Sequence, residues 1–218
     1  MLPFEDRTSA GRQLAAALSD YSGRDDVVAL GLPRGGVPVA REVAAALDAP
    51  LDVFLVRKLG VPGHEELAMG AIASGGARVM NPHVVRQLGI DEATIARVAE
   101  AERAELERRE RVYRNERAPA PIQGRIAILI DDGLATGASM RAAVSAVRSL
   151  EPTEAVVAVP VAPPETCALM EQEADRAVCV EMPEPFGGVG RWYRQFEQLT
   201  DAQVQEILEA MPAGASAR

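Results

Sequence analysis

Asp131 and Asp132 stand side by side at the end of an apolar run, and Gly133, Thr136, Gly137 and Ser139 follow them. Two adjacent carboxylates repel phosphate and suit sugar hydroxyls or Mg²⁺ instead. A glycine-bearing turn that enters a helix does the opposite, because its unpaired backbone N–H groups and the positive end of the helix dipole attract an anion. The hydroxyls of Thr136 and Ser139 add hydrogen bonds to phosphate oxygens. One short loop therefore offers both halves of a sugar phosphate site.

Three more groups carry chemistry. Lys58 is the only lysine among 23 basic residues; an ammonium is a compact point charge that a guanidinium does not replace, which makes Lys58 a functional candidate, with Arg57 beside it. Arg34, Gly35 and Gly36 form a second glycine turn, where backbone can approach a ligand and a following helix points its N-terminus there. Arg34 adds a charge suited to phosphate, and a strained or cis peptide is expected at Pro33–Arg34. Glu65 and Glu66 follow Lys58 in a stretch of glycine, proline and charge that reads as a mobile loop; Glu65 reads as a solvated carboxylate, whereas Glu66 stays open as a proton-transfer group.

The elements that position these residues are strands followed by helices. Ile126 to Ile130, Val27 to Leu32, Leu51 to Val56, Ala155 to Val161 and Ala177 to Val180 are short β-branched-rich runs, the pattern of strands buried on both faces. Helices are expected from Thr8 or Ser9 as cap to about Asp20, from Val37 to Leu47, from 138 to Leu150 and from Pro164 to Glu173. Such alternation predicts an α/β fold with a doubly wound, mostly parallel, Rossmann-like sheet, in which ligands bind beyond the carboxyl ends of the strands. Arg34, Arg57, Lys58 and Asp131 to Ser139 all fall at such ends. Met69 to Ala73 and Ala77 to Met80 pair as a hairpin through Ser74, Gly75 and Gly76, extending the sheet or carrying the hinge of the loop.

Residues 91–117 depart from this alternation. They read as an inserted helix of about 40 Å at 1.5 Å per residue, stapled by Glu105–Arg109, Glu107–Arg111 and Glu110–Arg114. Ile95, Val98, Leu106, Val112 and Tyr113 make a narrow apolar stripe that needs a cover, either this chain's own domain or a homodimer partner. Residues 182–196 gather Phe186, Phe196, Trp192 and Tyr193 in a chain that is only 4% aromatic, as a stacking surface for a flat ring or a small satellite core. Residues 1–211 are expected to form one domain, and the small, polar segment 212–218 a disordered tail.

The stretch Ile128 to Ser139, ILIDDGLATGAS, resembles the phosphoribosyl-pyrophosphate (PRPP) binding motif of the type I phosphoribosyltransferases. The resemblance covers roughly residues 27 to 195 apart from the inserted helix. It implies that Asp131 and Asp132 hold the ribose 2- and 3-hydroxyls, and Mg²⁺ directly or through them, while Gly133, Leu134, Ala135, Thr136, Gly137, Ala138 and Ser139 complete the loop and Ala135 to Ser139 cradle the 5-phosphate. LPRGG is similar to the family's pyrophosphate loop, which assigns pyrophosphate to Arg34, Gly35 and Gly36. RKLGVPG resembles the start of the flexible catalytic loop of the adenine enzymes, which implies catalytic roles for Arg57 and Lys58; the adenine enzymes' loop glutamate falls on Ala68 here, so Glu66 remains a catalytic candidate outside that correspondence. MPEPFGG looks like the base-binding hood of the hypoxanthine enzymes, where Phe186 would stack on the base. Gly133 replaces an aliphatic residue usual in the family, which weakens local packing. Ala135 stands where hypoxanthine-type enzymes carry an aspartate, as in adenine- and uracil-type motifs, which disfavours a 6-oxopurine acceptor. The activity implied is transfer of ribose 5-phosphate from PRPP to a nitrogenous base, in nucleotide salvage; the competing reading is a non-catalytic PRPP- or nucleotide-binding regulatory module.

Composition sets the outer bounds. A net charge of −9 argues against nucleic acid as a general partner, and no apolar run is long enough for a membrane span, so a cytoplasmic protein is expected. His64 and His83 lie far from Cys167 and Cys179, which excludes a zinc constellation by spacing. The two cysteines are expected as buried reduced thiols.

Overall fold

The structure is a computed structural model, and it describes residues 3–115 and 117–211. In chain order the elements are α1 (Arg7–Ala17), β1 (Val27–Gly31), α2 (Gly36–Leu47), β2 (Leu51–Val53), β3 (Val56–Val61), β4 (His64–Ala73), β5 (Arg78–Met80), α3 (Pro82–Leu88) and α4 (Glu92–Arg114), then β6 (Ile126–Ile130), α5 (Ala138–Arg148), β7 (Glu154–Val161), α6 (Pro164–Glu173), β8 (Arg176–Glu181) and α7 (Asp201–Glu209). The expected tail at 212–218 lies outside the described residues.

Five strands form a wholly parallel sheet in the order β2-β1-β6-β7-β8. The expected α/β doubly wound fold is thus present. Side chains alternate across each strand: Val27 and Ala29 of β1 and Ile126, Ile128 and Ile130 of β6 join a core with α1, α2, α4 and α7. Val28 and Leu30, with Ala127 and Leu129, face the opposite way into a second core with α5 and α6. Both faces are covered, which is why these strands read as continuous apolar runs rather than alternating ones. The chain leaves β1 toward α2 on one face and leaves β6 toward α5 on the other, so the switch point of the sheet lies between β1 and β6. Their two carboxyl-end loops come together there, at the place where sheets of this kind bind ligands.

Several local expectations are corrected. The cap of α1 is Asp6, whose carboxylate accepts from the Ser9 N–H at 2.6 Å while Ser9 Oγ accepts from the Asp6 N–H at 3.1 Å. Ser9 is the partner of the cap rather than the cap. The stretch after Lys58, expected as a mobile loop, is an antiparallel hairpin of β3 and β4 turning at Pro62–Gly63, with register shifts at Leu59/Gly60 and Gly60/Val61. Glycine there marks a bulged strand and not a loop. The β4–β5 pair through Ser74–Gly76 forms as expected, but with β3 it makes a separate three-stranded sheet instead of extending the main one.

The inserted helix α4 spans 23 residues, about 34 Å at 1.5 Å per residue, and is shorter than expected because it closes at Asn115. Of the three staples, Glu105–Arg109 and Glu110–Arg114 form at 2.7 Å each, while Arg108 joins Glu105 in place of a Glu107–Arg111 pair. Its stripe, with Ile95, Ala99, Leu106 and Tyr113 buried, packs into this chain's own core on the β3–β4 hairpin and α7. Arg114 anchors its end. The guanidinium donates to Asp52 at 2.9 Å, to Glu110 at 2.7 Å and to the Val53 carbonyl at 2.9 Å, while the Ala120 N–H donates to the other Asp52 oxygen at 2.9 Å. All charges in this buried group have partners, as burial demands.

Cys167 and Cys179 form a disulfide between α6 and β8, with Cα atoms 6.4 Å apart, which corrects the expectation of two reduced thiols. The reversal of the chain from α6 into β8 brings together two residues that a cysteine count leaves unrelated.

Candidate functional site

The two glycine turns meet at the switch point. Leu32 N–H donates to the Ile130 carbonyl at 2.8 Å, so the loops leave the sheet side by side. The Pro33–Arg34 peptide is cis, in line with expectation. Gly35 and Gly36 sit directly against the acidic pair: a Cβ on Gly35 would fall on the Asp132 carboxylate, and one on Gly36 on the Ile130 carbonyl and within 2.8 Å of Asp131 Cα. Only glycine allows this approach. The sequence signal for two separate turns is thus, in space, one cradle.

The acidic pair is held from three sides. Asp132 N–H donates to Asp131 Oδ1 at 2.8 Å, Arg7 Nε donates to Asp132 Oδ2 at 2.8 Å, and the Tyr193 hydroxyl donates to the Asp132 carbonyl at 2.5 Å. Burial raises the Asp131 carboxyl well above the ordinary carboxylate range, and the neighbouring charge of Asp132 pushes the same way. Asp132 is also raised by burial, with Arg7 opposing. Tyr193 is raised by burial and then by Asp132. Among the described residues Asp131 accepts the one backbone N–H and makes no ion pair. Such a pair favours a ligand that brings hydroxyl protons or a cation.

Beyond the carboxylates, Leu134 is buried and its N–H donates to the Val161 carbonyl at 3.0 Å, fixing the loop to the end of β7. Ala135, Thr136, Ala138 and Ser139 are exposed. Gly137 caps α5 at φ 73° and has no side chain to cap with; the Ala138 N–H donates to Thr136 Oγ1 at 3.5 Å, and the other N–H groups of the first turn have no partner within the helix. Thr166 of α6 supports the loop from below, donating to the Ala135 carbonyl at 2.8 Å, and its methyl would lie 3.0 Å from a Cβ on Gly137. Gly133 does not loosen the packing as expected, because Val189 and Val161 fill its side-chain space; a Cβ there would meet Val189 at 2.7 Å.

The expected cations lie around this cradle with partners of their own. Arg57 donates to Glu102 of α4 at 2.7 Å, and Arg34 lies 3.9 Å from Asp201 of α7. A cleft of about 720 Å³ joins Arg57, Lys58, Arg97, Glu102 and Ser139, so the β3–β4 hairpin and the inserted helix wall the phosphate loop on one side. The side chain of Glu66 lies outside the described residues. Phe186 follows a cis Glu184–Pro185 bond and packs, partly buried, against the small core of Phe4, Ala10, Val161 and Tyr193; Trp192 donates its indole N–H to the Phe186 carbonyl at 3.0 Å. Arg7 is the residue that sequence reading misses, since its partner lies 125 positions away.

A family model described as a phosphoribosyl transferase domain matches residues 5–191. The chain belongs to that family. Among solved structures it is similar to the TT1426 protein from Thermus thermophilus, at 45% identity and a TM-score of 0.85, covering 95% of this chain and 98% of that one. Among curated proteins, two from strains of Mycobacterium tuberculosis, each named "Putative phosphoribosyl transferase", are 48% identical over 206 residues, which is 94% of this chain and 46% of theirs. The chain thus spans about half the length of these curated relatives.

Proposed function

We propose that residues 1–211 form one phosphoribosyltransferase domain that transfers ribose 5-phosphate from PRPP to a nitrogenous base and releases pyrophosphate. The observation that carries this reading is the contact between Gly35–Gly36 and Asp131–Asp132 at the switch point. It brings an acidic pair, a helix N-terminus and a second glycine turn together at one end of the sheet. In this reading Asp131 and Asp132 accept the ribose 2- and 3-hydroxyls, Ala135 to Ser139 take the 5-phosphate, and Gly35 and Gly36 take the diphosphate.

Mg²⁺ fits this donor set, since it favours one or two carboxylates together with substrate oxygens, and when bound it would offset charge on the departing diphosphate. Among the described residues no group of three His, Cys, Asp or Glu side chains forms a protein-only metal cage. The acceptor nitrogen forms its bond to C1 from the face opposite the diphosphate. The C1–O bond breaks with its electron pair leaving on pyrophosphate, and the acceptor nitrogen gives up a proton, for which Glu66 is the candidate. Arg34, Arg57 and Lys58 stabilise the leaving charge. Arg57 must first exchange Glu102 for the diphosphate and Arg34 must leave Asp201, a partner change that fits closure over the ligand. Phe186 is the candidate for stacking on the base.

A second reading, a PRPP- or nucleotide-binding regulatory module without turnover, is favoured by those same engaged cations. Pyrophosphate release separates the two. With Asp131→Asn and Asp132→Asn combined, PRPP binding is lost under both readings. Lys58→Ala lowers release at least tenfold under the catalytic one and leaves binding largely intact. Unchanged release in Lys58→Ala removes its catalytic role.

A further inference from the structure

The second acidic residue is held by parts of the chain far outside the phosphate loop. Asp6 caps α1 and thereby fixes Arg7 as the first residue of the helix. The Arg7 guanidinium lies 4.0 Å over the Phe196 ring, donates to the Glu197 carbonyl at 2.9 Å and to Asp132 Oδ2 at 2.8 Å, and its side chain is 12% exposed. From the hood, Tyr193 stacks on Phe196 with centroids 4.9 Å apart and holds the Asp132 carbonyl. The two segments are joined by backbone bonds: Phe4 N–H to the Trp192 carbonyl at 2.8 Å, Arg194 N–H to the Phe4 carbonyl at 2.9 Å and Gln195 N–H to the Glu5 carbonyl at 3.0 Å.

We propose that Arg7, backed by Tyr193, is a positioning residue for the ligand site: it takes one oxygen of Asp132 and turns the other toward the ribose hydroxyl. The inference rests on the PRPP-binding reading of the site. Arg7 orients and charges the carboxylate without touching the ligand, as outer partners of metal-ligating groups do. A planar guanidinium gripped by a ring below, a carbonyl on one side and a carboxylate on the other has one arrangement, so Asp132 has one as well. The remaining Asp132 oxygen has no hydrogen bond among the described residues.

The titratable groups facing Asp132 are Asp131 from its own loop, Arg7 from α1 and Tyr193 from the hood; α2 contributes the Gly35 backbone. Arg7 is the one cation among them, and its grip fixes the carboxylate in place.

The test is calorimetric binding of Mg²⁺-PRPP at pH 8 by the full chain, as wild type, Arg7→Ala, Arg7→Lys and Arg194→Ala. Arg7→Ala is expected to weaken binding about tenfold, and Arg7→Lys to recover only part of the loss, since an ammonium restores the charge but not the planar grip. Arg194→Ala, which breaks an exposed contact to Glu5 in the same seam, is expected to bind as wild type does. Arg7→Ala binding equal to wild type overturns the inference. So does a loss that lysine recovers in no part, since that is the mark of a purely structural role. Wild-type protein that binds no PRPP overturns both this inference and the proposed function, whereas the other two results leave the function standing.

Discussion

Asp131→Asn should stabilise the ligand-free protein while abolishing ligand binding. The substituted amide keeps an oxygen to accept the Asp132 N–H at 2.8 Å, and it removes a charge that burial and Asp132 both disfavour. The folded-state pKa of Asp131 lies above its unfolded value, so the folded protein binds more protons at this position. Its contribution to stability is fully present below the ordinary value of 3.8 and is lost as pH rises through the raised one. At pH 8 the wild type bears the cost of a buried charge and the variant does not. Because Asp131 is only partly removed from solvent, the gain is set near the low end, about 1 kcal/mol or ~2–4 °C in Tm for a domain of this size. Thermal unfolding at pH 8 and pH 5 measures it, and the gain should shrink at pH 5. Saturating Mg²⁺-PRPP should reverse the order, since about 2.7 kcal/mol accrues at 100 times Kd to the protein that binds and none to the one that does not. A variant no more stable than wild type at pH 8, or a gain identical at both pH values, would refute the reasoning about the pair.

Three further outcomes follow from single contacts. Gly35→Ala drives a Cβ into the Asp132 carboxylate and should weaken Mg²⁺-PRPP binding by at least tenfold, ~1.4 kcal/mol, with an unchanged far-ultraviolet circular dichroism spectrum; tight binding would show that the two loops are farther apart. Arg114→Ala leaves Asp52 and Glu110 without their shared cation and should cost about 3–5 kcal/mol in urea unfolding; a loss below about 1 kcal/mol would mean that the group is solvated. The Cys167–Cys179 bond predicts that denatured, unreduced protein titrates no thiol, and that reduction costs about 3 kcal/mol for a closed loop of this length. Two titratable thiols before reduction would contradict it.

The sheet and the phosphate loop are legible in the sequence because their causes are local. Ile126 to Ile130 is buried on both faces, so its run is apolar throughout, and the Asp131–Ser139 loop carries its polar groups in one contiguous stretch. The limits lie in pairings across distance. Arg7 and Asp132 are joined by the docking of α1 on the hood, to which no pattern near Arg7 points. The β3 strand reads as a loop because Gly60, Pro62 and Gly63 look like punctuation, whereas Gly60 lies in a bulged strand and the other two form its turn. Helix α7 does carry a local signal: Thr200 and Gln203 form a capping box, and Val204 and Leu208, four apart, face the core. The space filled by Val189 over Gly133 cannot be inferred from either segment alone.

The most direct measurement is product formation: Mg²⁺-PRPP is incubated with adenine, guanine, hypoxanthine, uracil, orotate or nicotinate, one at a time and with a no-base control, and both pyrophosphate and the nucleoside 5′-monophosphate are quantified. A phosphoribosyltransferase yields the two in equal amounts with one base and neither above background without it. Silence with every base, in protein that binds PRPP, would contradict transfer to these acceptors and leave the regulatory reading in its place.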